Sequence, residues 1–187
     1  MGYAYNDLGG GVCGCNSCSD CSDALNNNTN CYAEVRLTTD ITGWTGTCVD
    51  NPENFSNKIF DCQGHVIDGD RSGIDYGIYL NGKENNTIRN CNVSDYIINL
   101  YIRNSTNNTI VNISAYQSLN FPNSASFSIA SNSTNNTIVN SSSYSSDYGF
   151  MLGGSSSYNK LINNKVSVSI SLVSLITITS PATLYIT

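Results

Sequence analysis

Asn85-Asn86-Thr87-Ile88-Arg89-Asn90 recurs as Asn107-Asn108-Thr109-Ile110-Val111-Asn112 and again as Asn135-Asn136-Thr137-Ile138-Val139-Asn140. A weaker copy is Tyr158-Asn159-Lys160-Leu161-Ile162-Asn163, and Ser56-Asn57-Lys58-Ile59-Phe60-Asp61 reads as a degenerate first copy. Positions 58, 87, 109, 137 and 160 are then equivalent, separated by 22 to 29 residues. A second motif precedes the later copies: Gly77-Ile78-Tyr79-Leu80, Asn99-Leu100-Tyr101-Ile102, Phe127-Ser128-Ile129-Ala130 and Gly149-Phe150-Met151-Leu152. The last lies one residue further from its partner, which implies an insertion in one loop. A repeat of this length means stacked structural units. Each unit holds short alternating stretches between Asn, Ser and Gly, without helical periodicity. The fold expected is an all-β, right-handed parallel β-helix, with strands of successive rungs about 4.8 Å apart.

Alternation assigns faces. Ile88, Ile110, Ile138 and Leu161 form one inward column. Ile78/Leu80, Leu100/Ile102, Ser128/Ala130 and Phe150/Leu152 form inward pairs on a second sheet. The third pair lacks apolar bulk unless Phe127 turns inward. Asn90, Asn112, Asn140 and Asn163 share a position and are expected to form an inward ladder of hydrogen-bonded amides. Tyr79, Tyr101, Ile129 and Met151 fall on an outer face, with Arg103 beside Tyr101. Such an aromatic column receives sugar rings or packs against another domain.

Composition agrees with this reading. Of 187 residues, 70 are Asn, Ser or Thr, while Ala, Glu, Lys, Gln and Met together number 18. The shortage of helix formers argues against an all-α chain. A hydrophobic content of 40% argues against disorder. The net charge of -6, with only 8 scattered cations, argues against nucleic-acid binding. No apolar run of about 18 residues exists to span a membrane. Met1–Asp7 has no apolar signal core, so a leader has been removed or the chain is an excised segment. At the other end Val166, Val168, Ile170 and Leu172 alternate with Ser, and Leu175–Ile178 and Leu184–Thr187 read as strand, which suggests a truncated C-terminus.

The 8 Cys residues fit a disulfide framework in an oxidising compartment. Ten Asn-x-Ser/Thr sequons point the same way. Asn85, Asn107 and Asn135 are expected exposed and open to glycosylation. Asn112 and Asn140, in the inward ladder, are expected bare. Cys13, Cys15, Cys18 and Cys21 have spacings that suit a metal site, but the preferred reading is a stapled N-terminal cap with Cys31 and Cys48 as partners. Residues 1–50 are read as this cap plus a first irregular rung around Val35, Leu37 and Ile41, and 51–187 as regular rungs. A short capped helix is expected at Ser19–Leu25. Cys62 and Cys91 each lie four residues past their repeat marker. They are read as a disulfide between neighbouring rungs, the alternative being two free core thiols.

Asp68, Asp70 and Asp75, with Arg71 nearby, form an acidic cluster. Carboxylates so placed can hold Ca²⁺ or supply the pair needed for glycoside cleavage. The competing reading makes Gln63-Gly64 and Asp68-Gly69 simple turns and His65 a turn residue. No other cofactor is indicated.

The string Asp61-Cys62-Gln63-Gly64-His65-Val66-Ile67-Asp68-Gly69-Asp70, together with Gly77-Ile78-Tyr79-Leu80 and the Asn-Asn-Thr-Ile-x-Asn copies, resembles right-handed β-helix surface proteins. These include the NosD-like and the carbohydrate-binding and sugar-hydrolase repeat families. The Cys-rich leader resembles that of archaeal surface proteins. The resemblance spans residues 13–164 and implies a fold more than an activity, since the matching residues build rungs. NosD-like proteins assist copper-site assembly, for which one His and two Met are a poor ligand set. The Asn-Thr-Asp, Asp-Asp, Gly-His-Gly and Arg-Ile-Lys signatures of polygalacturonase-like enzymes are missing. The function expected is a non-catalytic extracellular or cell-surface module, structural or adhesive, with polysaccharide or surface glycan as partner. The alternative is a polysaccharide-active lyase or glycosidase.

Overall fold

A computed structural model describes residues 5–116, 124–144, 147–167, 176–178 and 184–186. Val168, Ile170, Leu172 and Leu175 of the expected C-terminal alternation lie outside these. The chain opens with β1 (Asn6–Gly9) antiparallel to β2 (Val12–Cys15), followed by helix α1 (Cys18–Asn26). Every later rung then adds one strand to each of three parallel sheets. The first rung is β3 (Glu34–Leu37), β4 (Ile41–Trp44) and β5 (Val49–Asp50). The second is β6 (Ile59–Asp61), β7 (Val66–Gly69) and β8 (Tyr76–Asn81); the third is β9 (Thr87–Arg89), β10 (Asn92–Ser94) and β11 (Ile98–Arg103). The fourth is β12 (Thr109–Val111), β13 (Ser114–Tyr116) and β14 (Ala125–Ala130); the fifth is β15 (Thr137–Val139), β16 (Ser142–Tyr144) and β17 (Tyr148–Leu152). The sixth is β18 (Asn159–Ile162), β19 (Lys165–Ser167) and β20 (Ile176–Ile178), after which β21 (Leu184–Ile186) pairs with β18. We call the sheets A, B and C by the first, second and third strand of each rung. The result is a parallel β-solenoid of about six turns.

Three inward columns fill the solenoid. Sheet A contributes Phe60, Ile88, Ile110, Ile138 and Leu161 in register, all buried. Ile59 pairs with Thr87, so the marker of the first copy is Ile59 rather than Lys58. Sheet B contributes Ile67, Val93, Ala115 and Ser143, a column that shrinks along the axis. Sheet C compensates. Phe127, not Ser128, aligns with Leu100, and it stacks on Phe150 with ring centroids 4.8 Å apart. The two Phe residues add apolar bulk to the rungs where sheet B narrows to Ala115 and Ser143, and Ser143 Oγ bonds Ser126 Oγ at 2.7 Å. Ile129 joins Ile102 and Leu152 on the inside, so Ala130 is not an inward residue. This shift also means that the extra loop residue expected only before β18 is present before β15. Each fully buried Ile or Phe contributes about 2 to 3 kcal/mol.

Corners are where a solenoid needs polar groups, because the backbone turns away from strand pairing. An inward Asn ladder solves this, but at Asn86, Asn108, Asn136 and Asn159, all buried. The N–H groups of Lys58, Asn86, Asn108 and Asn136 each donate to the Asn Oδ1 on the next rung, at 2.9–3.1 Å. The amide nitrogens donate in turn to the backbone carbonyls of Phe55, Lys83, Ser105 and Ser133. Ser105, Ser133 and Ser156 form a second ladder, with hydroxyls that accept from Lys83, Ser105 and Ser133 N–H.

The inward placement expected for Asn90, Asn112, Asn140 and Asn163 is incorrect. These residues have φ of 51–56°; Asn90 is half-buried and the other three are exposed, and one bond of the expected ladder, from Asn112 Nδ2 to Asn90 Oδ1 at 3.3 Å, forms on the outside. The left-handed backbone breaks alternation, so the following residues, Cys91, Ile113 and Ser141, point inward instead. A second left-handed column, Asn57, Asn85, Asn107 and Asn135, precedes the buried Asn ladder. Asn tolerates this region better than other residues with a Cβ.

The cap holds α1 against β2, β3 and β5. Ser17 caps the helix by accepting from Asp20 N–H, and Ala24 and Leu25 are buried beneath it. Cys15–Cys21 ties β2 to α1 within the cap, Cys13–Cys31 ties β2 to the segment that leads into β3, and Cys18–Cys48 ties α1 to the start of β5. Lys58, in the position the Asn ladder occupies on later rungs, reaches up instead. Its buried ammonium donates to Leu25 O at 2.6 Å and Asn27 O at 2.9 Å, at the helix C-terminus. Burial lowers its pKa to about 8.

Substituting Asn108→Ala should destabilise the fold by about 2 to 5 kcal/mol, since it strands buried backbone groups on two rungs. Asn112→Gly should change stability by no more than about 0.5 kcal/mol, because Gly also accepts the left-handed backbone. Urea midpoints of the two variants check this. For Lys58 the folded chain binds fewer protons than the unfolded chain between pH 8 and the ordinary lysine range. Stability should therefore rise as pH is raised from 8 toward 10, and Lys58→Met should flatten that rise in denaturation measured across the window.

Candidate functional site

The outer face of sheet C carries the sugar-contact residues read from the sequence. Tyr79 and Tyr101 are register neighbours with ring centroids 5.5 Å apart, and the Arg103 guanidinium lies 6.0 Å from the Tyr101 centroid. The column continues through Ser128 and Met151, because the register places Ile129 inside. Tyr76 completes a triangle, 5.3 Å from Tyr79 and 5.1 Å from Tyr101. Alternation from Ile78 and Leu80 would have put Tyr76 inside. Gly77 takes the inner corner instead, where a Cβ would meet Val93 Cγ1 at 2.4 Å and Asn99 O at 2.6 Å. A glycine beside a Tyr at a strand start was the available signal. Burial, in the first place, raises the Tyr76 and Tyr101 hydroxyl pKa values. Both phenols are neutral at pH 7 and can donate and accept hydrogen bonds.

The acidic residues are arranged differently from the cluster read in the sequence. Asp68-Gly69 is not a turn. It ends strand β7, with Asp68 on the outer face and Gly69 packed where a Cβ would come 2.6 Å from Asp95 O. Asp68 accepts from Ser94 Oγ at 2.6 Å and from Gly43 N–H at 3.4 Å. Asp70 accepts from the Ser72 N–H and hydroxyl, and these bonds, with that of Thr45, hold its pKa down. Asp75 lies against Gly73, 2.7 Å from where a Cβ would stand. Arg71 pairs with none of these three but with Asp95, which sequence reasoning missed. Among the described residues no three His, Cys, Asp or Glu side chains converge to hold a metal ion. Gln63-Gly64 is a turn, with φ of 54° and 86°. His65 follows it and bonds through Nδ1 to Asp40 at 2.9 Å.

Sheet B carries a shallow groove of about 590 Å³ between this acidic edge and Tyr116. Tyr116 is 44% exposed and stacks on Tyr144, centroids 4.7 Å apart and planes within 7°. On the corners, Asn85, Asn107 and Asn135 are exposed. Asn112 and Asn140, expected inside, are exposed too, so burial does not set their sequons apart.

The Cys cluster has no free thiolate to offer a metal. All eight Cys are paired, the fourth disulfide being Cys62–Cys91 with Cα atoms 4.8 Å apart. The pairing matches the sequence reading, although its register differs. Cys62 lies three residues past its marker Ile59 and Cys91 four past Thr87, the extra residue being Asn90, with φ of 56°. Unreduced protein should take up no alkylating reagent after denaturation, and reduction should expose eight reactive thiols, counted by mass. No protein-family model matches the chain, and no curated protein shows significant similarity to it.

Proposed function

We propose that the chain is a rigid, non-catalytic module of an extracellular or cell-surface protein that presents its outer faces to polysaccharide or surface glycan. The observation that carries this reading is the Tyr76–Tyr79–Tyr101 triangle with Arg103, an aromatic surface on an inflexible sheet. Rings fixed by the scaffold bind at little entropic cost, and phenols suit ligands that are apolar on one side and hydroxylated on the other.

Four disulfides support an oxidising, extracellular setting. No described helix is long and apolar enough to cross a membrane. The non-catalytic reading is supported by the acidic residues, since Asp68 and Asp70 are held by local hydrogen bonds and Arg71 by Asp95. Exposed Asn85, Asn107 and Asn135 are the glycosylation positions of this reading. Kinship with NosD-like and archaeal surface proteins belongs to the same proposal and rests on the quoted motifs.

Affinity electrophoresis or calorimetry against a panel of soluble polysaccharides tests it. The chain should bind at least one of them. Tyr101→Ala should weaken that binding by about tenfold or more with an unchanged thermal midpoint. Failure to bind any member would overturn the proposal, as would binding indifferent to the Tyr substitutions.

A further inference from the structure

We infer that the groove on the outer face of sheet B is a second, separate glycan subsite, which takes a neutral pyranose ring laid on Tyr116 with its hydroxyls bonded to Asp68. The inference rests on the glycan reading above and adds to it a site and a ligand class.

The groove has the parts such a ligand needs. Asp68, Ser94 and Tyr116 are register neighbours on β7, β10 and β13, so the carboxylate and the phenol ring stand two strand steps, about 10 Å, apart. Tyr116 is exposed yet fixed, because its other face is stacked on Tyr144. Asp68 accepts one short bond from Ser94 and one long one from Gly43, and a carboxylate has about four acceptor positions, so it retains capacity for sugar hydroxyls. Asn92 uses its amide nitrogen on Gly64 O and keeps its oxygen as an acceptor. Beside Ser94, Asp95 holds Arg71 by Nε, which leaves the rest of the guanidinium as donors.

The same features exclude other occupants. Asp68 and Asp95 outnumber Arg71, so uronates, phosphates and nucleic acid meet net repulsion. A peptide adding as a strand needs an open sheet edge, and β7, β10 and β13 are each paired on both sides. A neutral sugar meets neither obstacle. It donates to carboxylates and lays its C–H face on the phenol.

Calorimetric titration of the full chain with neutral and with uronate oligosaccharides of matched length tests this. Two neutral-sugar sites are expected. Tyr116→Ala and Asp68→Asn should each weaken the sheet B site about tenfold or more and leave the sheet C site intact. Tyr101→Ala should do the reverse, and Tyr116→Phe, which keeps the ring stack, should bind like the parent. A single site abolished by Tyr101→Ala alone overturns the groove but spares the sheet C proposal. A single site abolished by Tyr116→Ala alone supports the groove and overturns the other face. Preference for uronates at the groove overturns the ligand class, and no binding of any oligosaccharide overturns both. Unchanged thermal midpoints in the variants separate loss of contact from loss of fold.

Discussion

Parallel strand pairing at a spacing of about 4.8 Å is the constraint on which the rest of this molecule depends. It places equivalent residues directly above one another on every rung, so any choice at one position is repeated along the axis. Charges of one sign cannot be stacked this way without repulsion. Sheet A obeys that limit where it does carry charge: Arg36, Asp61 and Arg89 are register neighbours of alternating sign, and Glu34 and Asp61 both pair with Arg89. Elsewhere the solution is neutral polar residues, which can donate and accept in the same column.

The corners show why Asn in particular is abundant. A corner needs one residue with left-handed backbone to redirect the chain and one side chain to bond the backbone groups that the turn leaves unpaired. Asn serves both needs, and adjacent pairs such as Asn85-Asn86 divide the two tasks. Glycine would give the turn but not the ladder; on the sixth rung Tyr158, with φ of 56°, takes the turn and Asn159 the ladder. Where the pattern changes, the reason is local. Lys58 replaces Asn on the second rung because its longer side chain reaches the carbonyls that end α1. The cap is thus joined to the solenoid by a charged hydrogen bond as well as by disulfides.

This division of labour leaves the outer faces free to vary. The inward columns and ladders fill the core and bond the rungs, and the outward positions of sheets B and C carry aromatic and carboxylate groups without structural duties on the core. A binding surface of this kind gains from the scaffold what a loop would lack, which is fixed spacing between contact groups.

Much of the architecture was legible in the repeat. Period, strand-like alternation, the Ile88–Ile110–Ile138–Leu161 column and the Tyr79–Tyr101 neighbours follow from equivalent positions, because parallel stacking turns sequence equivalence into spatial contact; the Cys62–Cys91 bridge forms although its two positions are offset by one residue. What alternation could not supply was its own interruption. Left-handed backbone at Asn90 and Asn112 turned an expected inward ladder outward and moved it to Asn86 and Asn108. Gly77 turned Tyr76 outward. The loss of bulk at Ala115 and Ser143 made room for Phe127 inside sheet C. Pairing of Arg71 with Asp95, across a rung, lay beyond any local motif. The repeat alone specifies a stacked solenoid, because a period of one rung returns the chain to the same sheet. The tertiary structure decided which polar residues face the core and which outer residues share a groove, since both depend on backbone angles at the corners and on packing between sheets that no single rung contains.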